Sequence, residues 1–90
     1  MPLSNKQIKE FRTRGHKLKP VVTIAGAGLT ESVNNELELS IDHHELMKIK
    51  VIAEDRETRA KLIDTICSNL GAELIQRIGN IALLYRRKKD

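Results

Sequence analysis

The spacing of apolar residues changes period along this chain, and that change limits the folds open to it. Leu29, Val33, Leu37 and Ile41 recur every four residues, a stripe that a helix places on one face. Met47, Ile49 and Val51 then recur every second residue, with Lys48 and Lys50 between them, as in a strand. Asp55 follows as a helix N-cap, and Ala60, Ile63, Ile66, Cys67 and Leu70 return to helical spacing. A chain that alternates in this way builds β-α-β units, whose right-handed crossovers give parallel strands.

The pattern extends towards both ends. Ser4 and Gln7 fit a capping box, and Ile8 and Phe11 share a face, so a helix is expected over residues 4–14 with Gly15 as its C-terminal stop. Pro20 opens an extended segment, and Val21-Val22-Thr23-Ile24 has strand composition until Ala25-Gly26-Ala27-Gly28 breaks it. Helices are expected over 30–43 and 56–69, and a strand over 46–53. Gly79-Asn80 is a two-residue hairpin signal joining strands over 72–78 and 81–87. That register sets Arg77 opposite Ala82, Ile75 opposite Leu84, and Glu73 opposite Arg86. The predicted order is α-β-α-β-α-β-β: a compact α/β single domain on a mixed four-stranded sheet with packed helices. Its span is drawn over residues 1–87, with a short basic tail over 88–90; the whole closing run YRRKKD has the composition of a loose end. The pattern does not place the first helix.

Composition narrows the function classes. Twenty-five of the 90 residues are Ile, Leu or Val, enough for one core with little left to wall a deep substrate pocket. The single cysteine, Cys67, cannot form an internal disulfide and reads as a small core residue. The start MPLSNKQIKEF lacks the apolar run of a signal peptide, and no stretch approaches 18 apolar residues. The expectation is a cytoplasmic protein with no membrane partner. Charge is segregated: residues 1–20 carry a net +5, residues 21–60 a net −4, and residues 61–90 a net +3. Basic ends around an acidic middle describe either a one-sided basic surface for an anionic partner or a solvated, soluble exterior.

Several segments could carry such a surface. A strand running through Gly26, Ala27 and Gly28 into a helix offers backbone N–H groups to a phosphate, with Lys19 just before the strand; it also describes an ordinary strand-to-helix turn. Lys48 and Lys50 share a strand face with Leu46 and Ile52, either as a contact surface or as a solvated face or edge. Arg77, Arg86 and Arg87 flank the final hairpin, where Arg86 can instead pair with Glu73 across strands. His43-His44-Glu45 has no third ligand at a metal-binding spacing and suits a helix end, and His16 is unaccompanied. No nucleophile–base set stands out, so no enzyme, metal or cofactor is expected. Phe11 and Tyr85 are the only aromatics, so there is no platform for stacking bases. An RNA partner would be held mainly at phosphates and 2′-hydroxyls, with modest sequence preference.

The runs His16-Lys-Leu-Lys-Pro-Val-Val22, Gly28-Leu-Thr-Glu31, His44-Glu-Leu-Met-Lys-Ile-Lys-Val51, Asp55-Arg-Glu57 and Ile78-Gly-Asn-Ile-Ala-Leu-Leu-Tyr-Arg86 together resemble the bacterial YhbY-type proteins. These consist of one CRM domain, named for chloroplast RNA splicing and ribosome maturation. The resemblance covers about residues 3–87. It implies a fold similar to the C-terminal domain of translation initiation factor three, RNA binding, and association with precursors of the large ribosomal subunit. The family loop usually reads GxxG; here Ala25 stands first and Gly28 last. Basic positions implied by the matched motifs are Lys19, Lys48, Lys50 and Arg86, with Arg77 beside them. The expectation is a monomeric, non-enzymatic assembly factor of a bacterial-type cytoplasm that grips large-subunit ribosomal RNA or its precursor, without a small-molecule substrate. Its alternative is a ribosome-docked protein-interaction module that uses the acidic middle segment.

Overall fold

Each helix begins where a side chain captures orphan backbone N–H groups. In the computed structural model, which describes residues 3–25 and 29–87, helix α1 spans Asn5–Gly15, α2 Glu31–His44 and α3 Arg56–Leu70. The Gln7 amide donates to Ser4 Oγ at 3.1 Å while the Ser4 amide donates to Gln7 Oε1 at 2.9 Å, a complete capping box. Thr30 Oγ1 accepts from the Val33 amide at 3.2 Å, and Asp55 Oδ1 from the Thr58 amide at 2.6 Å. The Thr58 hydrogen bonds hold the Asp55 carboxyl below its usual range. Gly71, at φ 64°, closes α3 in the left-handed region.

The strands are β1 (Pro20–Ile24), β2 (Leu46–Val51), β3 (Glu73–Ile78) and β4 (Ile81–Tyr85), ordered β1-β2-β4-β3. β1 and β2 are parallel; β4 is antiparallel to both β2 and β3. Alternation along the strands sends side chains to two faces, and each face has its own core. On one, Val22, Ile24, Met47, Ile49, Val51, Ala82 and Leu84 pack beneath α2 and α3, with Leu37, Ile41, Ile63 and Ile66 fully buried. On the other, Leu46, Ile75 and Leu83 pack against Phe11 of α1.

Four local readings need correction. Gly15 does stand at the end of α1, but the cap residue is His16 in the ordinary right-handed region (φ −58°), so the chain needs no left-handed glycine here. It needs a missing side chain: a Cβ on Gly15 would lie 2.5 Å from Leu83 Cδ2. Gly15 thus lets α1 sit directly on the sheet. Gly15→Val is expected to lower stability by about 2–3 kcal/mol through overpacking, measured by urea denaturation.

The hairpin register holds at its tip, with Ile78 opposite Ile81 and Arg77 opposite Ala82, but a bulge between Leu74 and Gln76 changes the rest. Leu74 lies opposite Leu84 and Glu73 opposite Tyr85, so Ile75 no longer faces Leu84, nor Glu73 Arg86. The extra residue turns Ile75 into the α1 core, where burial of its side chain offsets the broken ladder. Tyr85 is no loose end: it completes β4 and stacks on Phe11, ring centroids 4.3 Å apart. Finally, β2 is a central strand, which removes the edge reading of Lys48 and Lys50.

Candidate nucleic-acid interface

The α1 face of the sheet can be followed in three cross-strand rows. Leu46, Tyr85 and Glu73 form the first, near the packing site of α1. Pro20, Lys48, Leu83 and Gln76 form the second. Thr23, Lys50, Ile81 and Ile78 form the third. α1 is eleven residues long and covers only part of this face. Beyond it Thr23 and Ile78 are exposed and Lys48 and Lys50 half-exposed. Neither lysine forms an ion pair among the described residues. A charge on a partly dehydrated sheet face with no internal partner is available to an external anion.

The rim of this face is also basic. Lys19 directly precedes Pro20, which pairs with Lys48. Arg14, His16 and Lys17 at the end of α1 are exposed beside it. The Arg14 guanidinium lies 5.6 Å from the centre of the Phe11 ring, a cation–π contact. Arg14, His16 and Lys17 were missed as site residues from sequence. Their only signal was the charge of the first 20 positions, and which face α1 covers depends on long-range packing.

At the far end of the face the Ile52 amide donates to the Ile24 carbonyl at 2.8 Å, tying the exits of β1 and β2 together. The chain leaves this tie at Ala25 and re-enters at Leu29, before the Thr30 cap; Gly26, Ala27 and Gly28 lie outside the described residues. The hairpin tip meets the same end. The Val51 amide donates to the Asn80 carbonyl at 2.7 Å, and Arg59 Nη1 donates to Asn80 Oδ1 at 2.9 Å. The ends of β1 and β2, the hairpin tip and the first turn of α3 are therefore gathered together. Lys50, opposite Thr23, borders them.

The other basic candidates are placed elsewhere. Arg77 pairs with Ala82, so it points to the α3 side of edge strand β3, in a groove with Ala60 and Asp64. Arg86 is only 10% exposed, and its guanidinium is occupied: Nη1 donates to Glu38 Oε1 at 2.7 Å and to the Leu70 carbonyl at 3.0 Å, while Nη2 lies 3.6 Å from Asp42 Oδ1. Its partners sit on α2 and at the end of α3, in place of the cross-strand Glu73. Arg87 is exposed.

Of the remaining reactive side chains, His44 lines a hollow with Arg14, Lys17 and Leu46 beside the rim of this face. His43 and His44 meet edge to face at the end of α2, with centroids 4.8 Å apart. Among the described residues no group of three or more His, Cys, Asp and Glu is placed to hold a metal, and no helix is long and apolar enough to cross a membrane. Cys67 packs against the larger core; burial, then the carboxylates of Asp64 and Glu73, push its thiol up to about 11. The thiolate is the nucleophile, so iodoacetamide at pH 8 is expected to alkylate native Cys67 on the order of 100-fold more slowly than the urea-unfolded chain. Because the folded-state value is raised, the unfolded chain loses this proton first. Stability should fall as pH rises from about 9 to about 11.

Comparisons with known proteins place these features in a family. The model of the CRS1 / YhbY (CRM) domain matches residues 3–86. A Pseudomonas aeruginosa protein named "Probable RNA-binding protein PA4753" is 44% identical over 87 residues, covering 97% of this chain and 84% of that one. A Haemophilus influenzae protein named "RNA-binding protein" is 43% identical over 88 residues, covering 98% and 89%. The solution structure of the hypothetical protein SAV1595 from Staphylococcus aureus is similar with a TM-score of 0.84 at 26% identity, over 99% of this chain and 93% of that one. Element order, sheet and sequence agree, and the chain belongs to the CRS1 / YhbY (CRM) domain family.

Proposed function

We propose that this protein binds RNA by its sugar-phosphate backbone, with the α1 face of the sheet as the contact surface. The observation that carries the reading is the pair Lys48 and Lys50: central in the sheet, half-exposed, without ion pairs among the described residues, and rimmed by Lys17 and Lys19. Relatives named for RNA binding support it. Both aromatic rings are engaged with each other, which favours grip on phosphates and 2′-hydroxyls over stacked strands of bases. Gly26, Ala27 and Gly28, expected from the sequence to offer backbone N–H groups to a phosphate, are kept as candidate contacts. The proposed target is structured ribosomal RNA of large-subunit precursors, and the proposed role is ribosome assembly in the cytoplasm by a monomer. Binding alone is assigned, with no chemical step, cofactor or small-molecule substrate.

Two measurements test this. If about four phosphates are neutralised, log K for a structured RNA should fall against log salt with a slope of about −3. A flat response removes the backbone grip. In a low-salt sucrose gradient of cell lysate the protein should travel with large subunits or their precursors; sedimentation only with free protein removes the assembly role. A second reading, docking through protein contacts, draws on the outer face of α2, where Leu39 is 73% exposed one turn from Glu36 and Asp42. It requires association with the subunit to survive loss of RNA binding.

A further inference from the structure

The open sheet face contains a hollow of about 160 Å³ lined by His16, Lys48, Gln76, Ile78, Ile81 and Leu83. It is smaller than the pockets that enclose drug-sized ligands or cofactors, roughly 300–1,000 Å³. Its lining is ordered by chemistry. Leu83 and Ile81 make an apolar floor in adjacent rows of β4, and Ile78, 61% exposed, extends it at the sheet edge. Gln76 lies opposite Leu83, immediately after the bulge, and offers a carboxamide with a donor and an acceptor side by side. His16, exposed at the cap of α1, supplies a planar ring to the hollow, while Phe11 and Tyr85 are stacked on each other. Lys48 stands at the opposite wall as the unpaired charge.

An apolar floor, a planar ring, one amide edge and one ammonium match a single nucleotide: floor and imidazole for the faces of the base, carboxamide for its edge, lysine for its phosphate. The geometry points to this hollow as a seat for one unpaired base of the bound RNA, a site that rests on the RNA-binding reading above. The substrate class is then a duplex interrupted by a bulged or mismatched nucleotide. Such a base is the least costly to extrude, because it gives up no pairing. The remaining contacts read only the backbone, so this seat is where sequence or structure selectivity enters.

The test uses the full chain and five labelled hairpin RNAs of equal stem length, one fully paired and four carrying a single bulged A, C, G or U. Affinity is read by fluorescence anisotropy at one salt concentration. The best bulged RNA should bind about tenfold more tightly than the paired stem, the scale of one stacked base. Gln76→Ala should remove most of that advantage and leave paired-stem affinity within about twofold, and His16→Ala should also remove most of the advantage. Lys50→Gln, outside the hollow, should weaken all five RNAs alike. His16 is exposed, so its variant separates loss of the seat from loss of fold. Equal affinity for paired and bulged stems in the wild type overturns the seat and leaves backbone binding standing. So does a bulge preference that survives in both variants. Failure of all five RNAs to bind overturns the RNA-binding reading itself, and the seat with it.

Discussion

Lys48→Glu combined with Lys50→Glu is expected to weaken RNA binding by about 100-fold, the scale of two lost charge-assisted contacts. Both ammonium groups stand on the uncovered part of the central strand, in adjacent rows. Reversal removes two phosphate contacts and adds repulsion along the same track. The fold should bear it, because the aliphatic stems, not the charges, lie over the sheet, and substitutions away from a core or network cost within about 0.5 kcal/mol. The neutral pair Lys48→Gln and Lys50→Gln gives the gentler version. The salt slope should then shrink by about 1.4, or two contacts at 0.7 each. Affinity and slope both unchanged, with the melt intact, would move the interface to another surface.

Arg86→Ala is expected to lower stability by about 2 kcal/mol, from loss of charge-assisted hydrogen bonds at a nearly buried guanidinium. One side chain there links the end of β4 to α2 through Glu38 and Asp42 and to the end of α3 through the Leu70 carbonyl. Glu38 and Asp42 are about half exposed and regain water, which keeps the loss below that of a fully buried pair. For a 90-residue domain the melting midpoint should drop by about 10 °C. Arg86→Lys should recover little, because a single ammonium cannot reproduce a planar fork spanning three acceptors. RNA affinity measured well below the lowered midpoint should change far less than stability. If instead affinity falls by a large factor while the melt is unchanged, Arg86 is a contact residue and its bonds to α2 are incidental.

The two arginine and lysine positions show how a charge on a family motif divides by context. Lys48 and Arg86 both carry over from matched runs, and both flank the same sheet. One forms no ion pair among the described residues and remains available. The other meets two carboxylates and a helix-end carbonyl, and its charge is spent inside the molecule. Nothing in the local sequence around Arg86 distinguishes them, since Glu38 and Asp42 lie more than forty positions away.

What the sequence determined alone was local in its physics. Helix starts follow from Ser4, Thr30 and Asp55, whose side chains reach amides three residues on. Strand faces follow from the period of two, so the outward placement of Lys48 and Lys50 was legible, as were the hairpin tip and the element order. What only the tertiary structure decided involved partners distant in the chain. The bulge before Gln76 arises because Ile75 gains more from the Phe11 and Leu83 core than the ladder loses. Gly15 reads as a stop signal until Leu83, 68 positions later, shows the space it must leave empty. The face chosen by α1 decides which row of the sheet stays open, and so joins Lys19, Lys48, Lys50 and His16 while sending Arg77 and Arg86 away. Periodicity encodes which side of an element is apolar; which other apolar side covers it is settled by packing, and with it the shape of the surface left for a ligand.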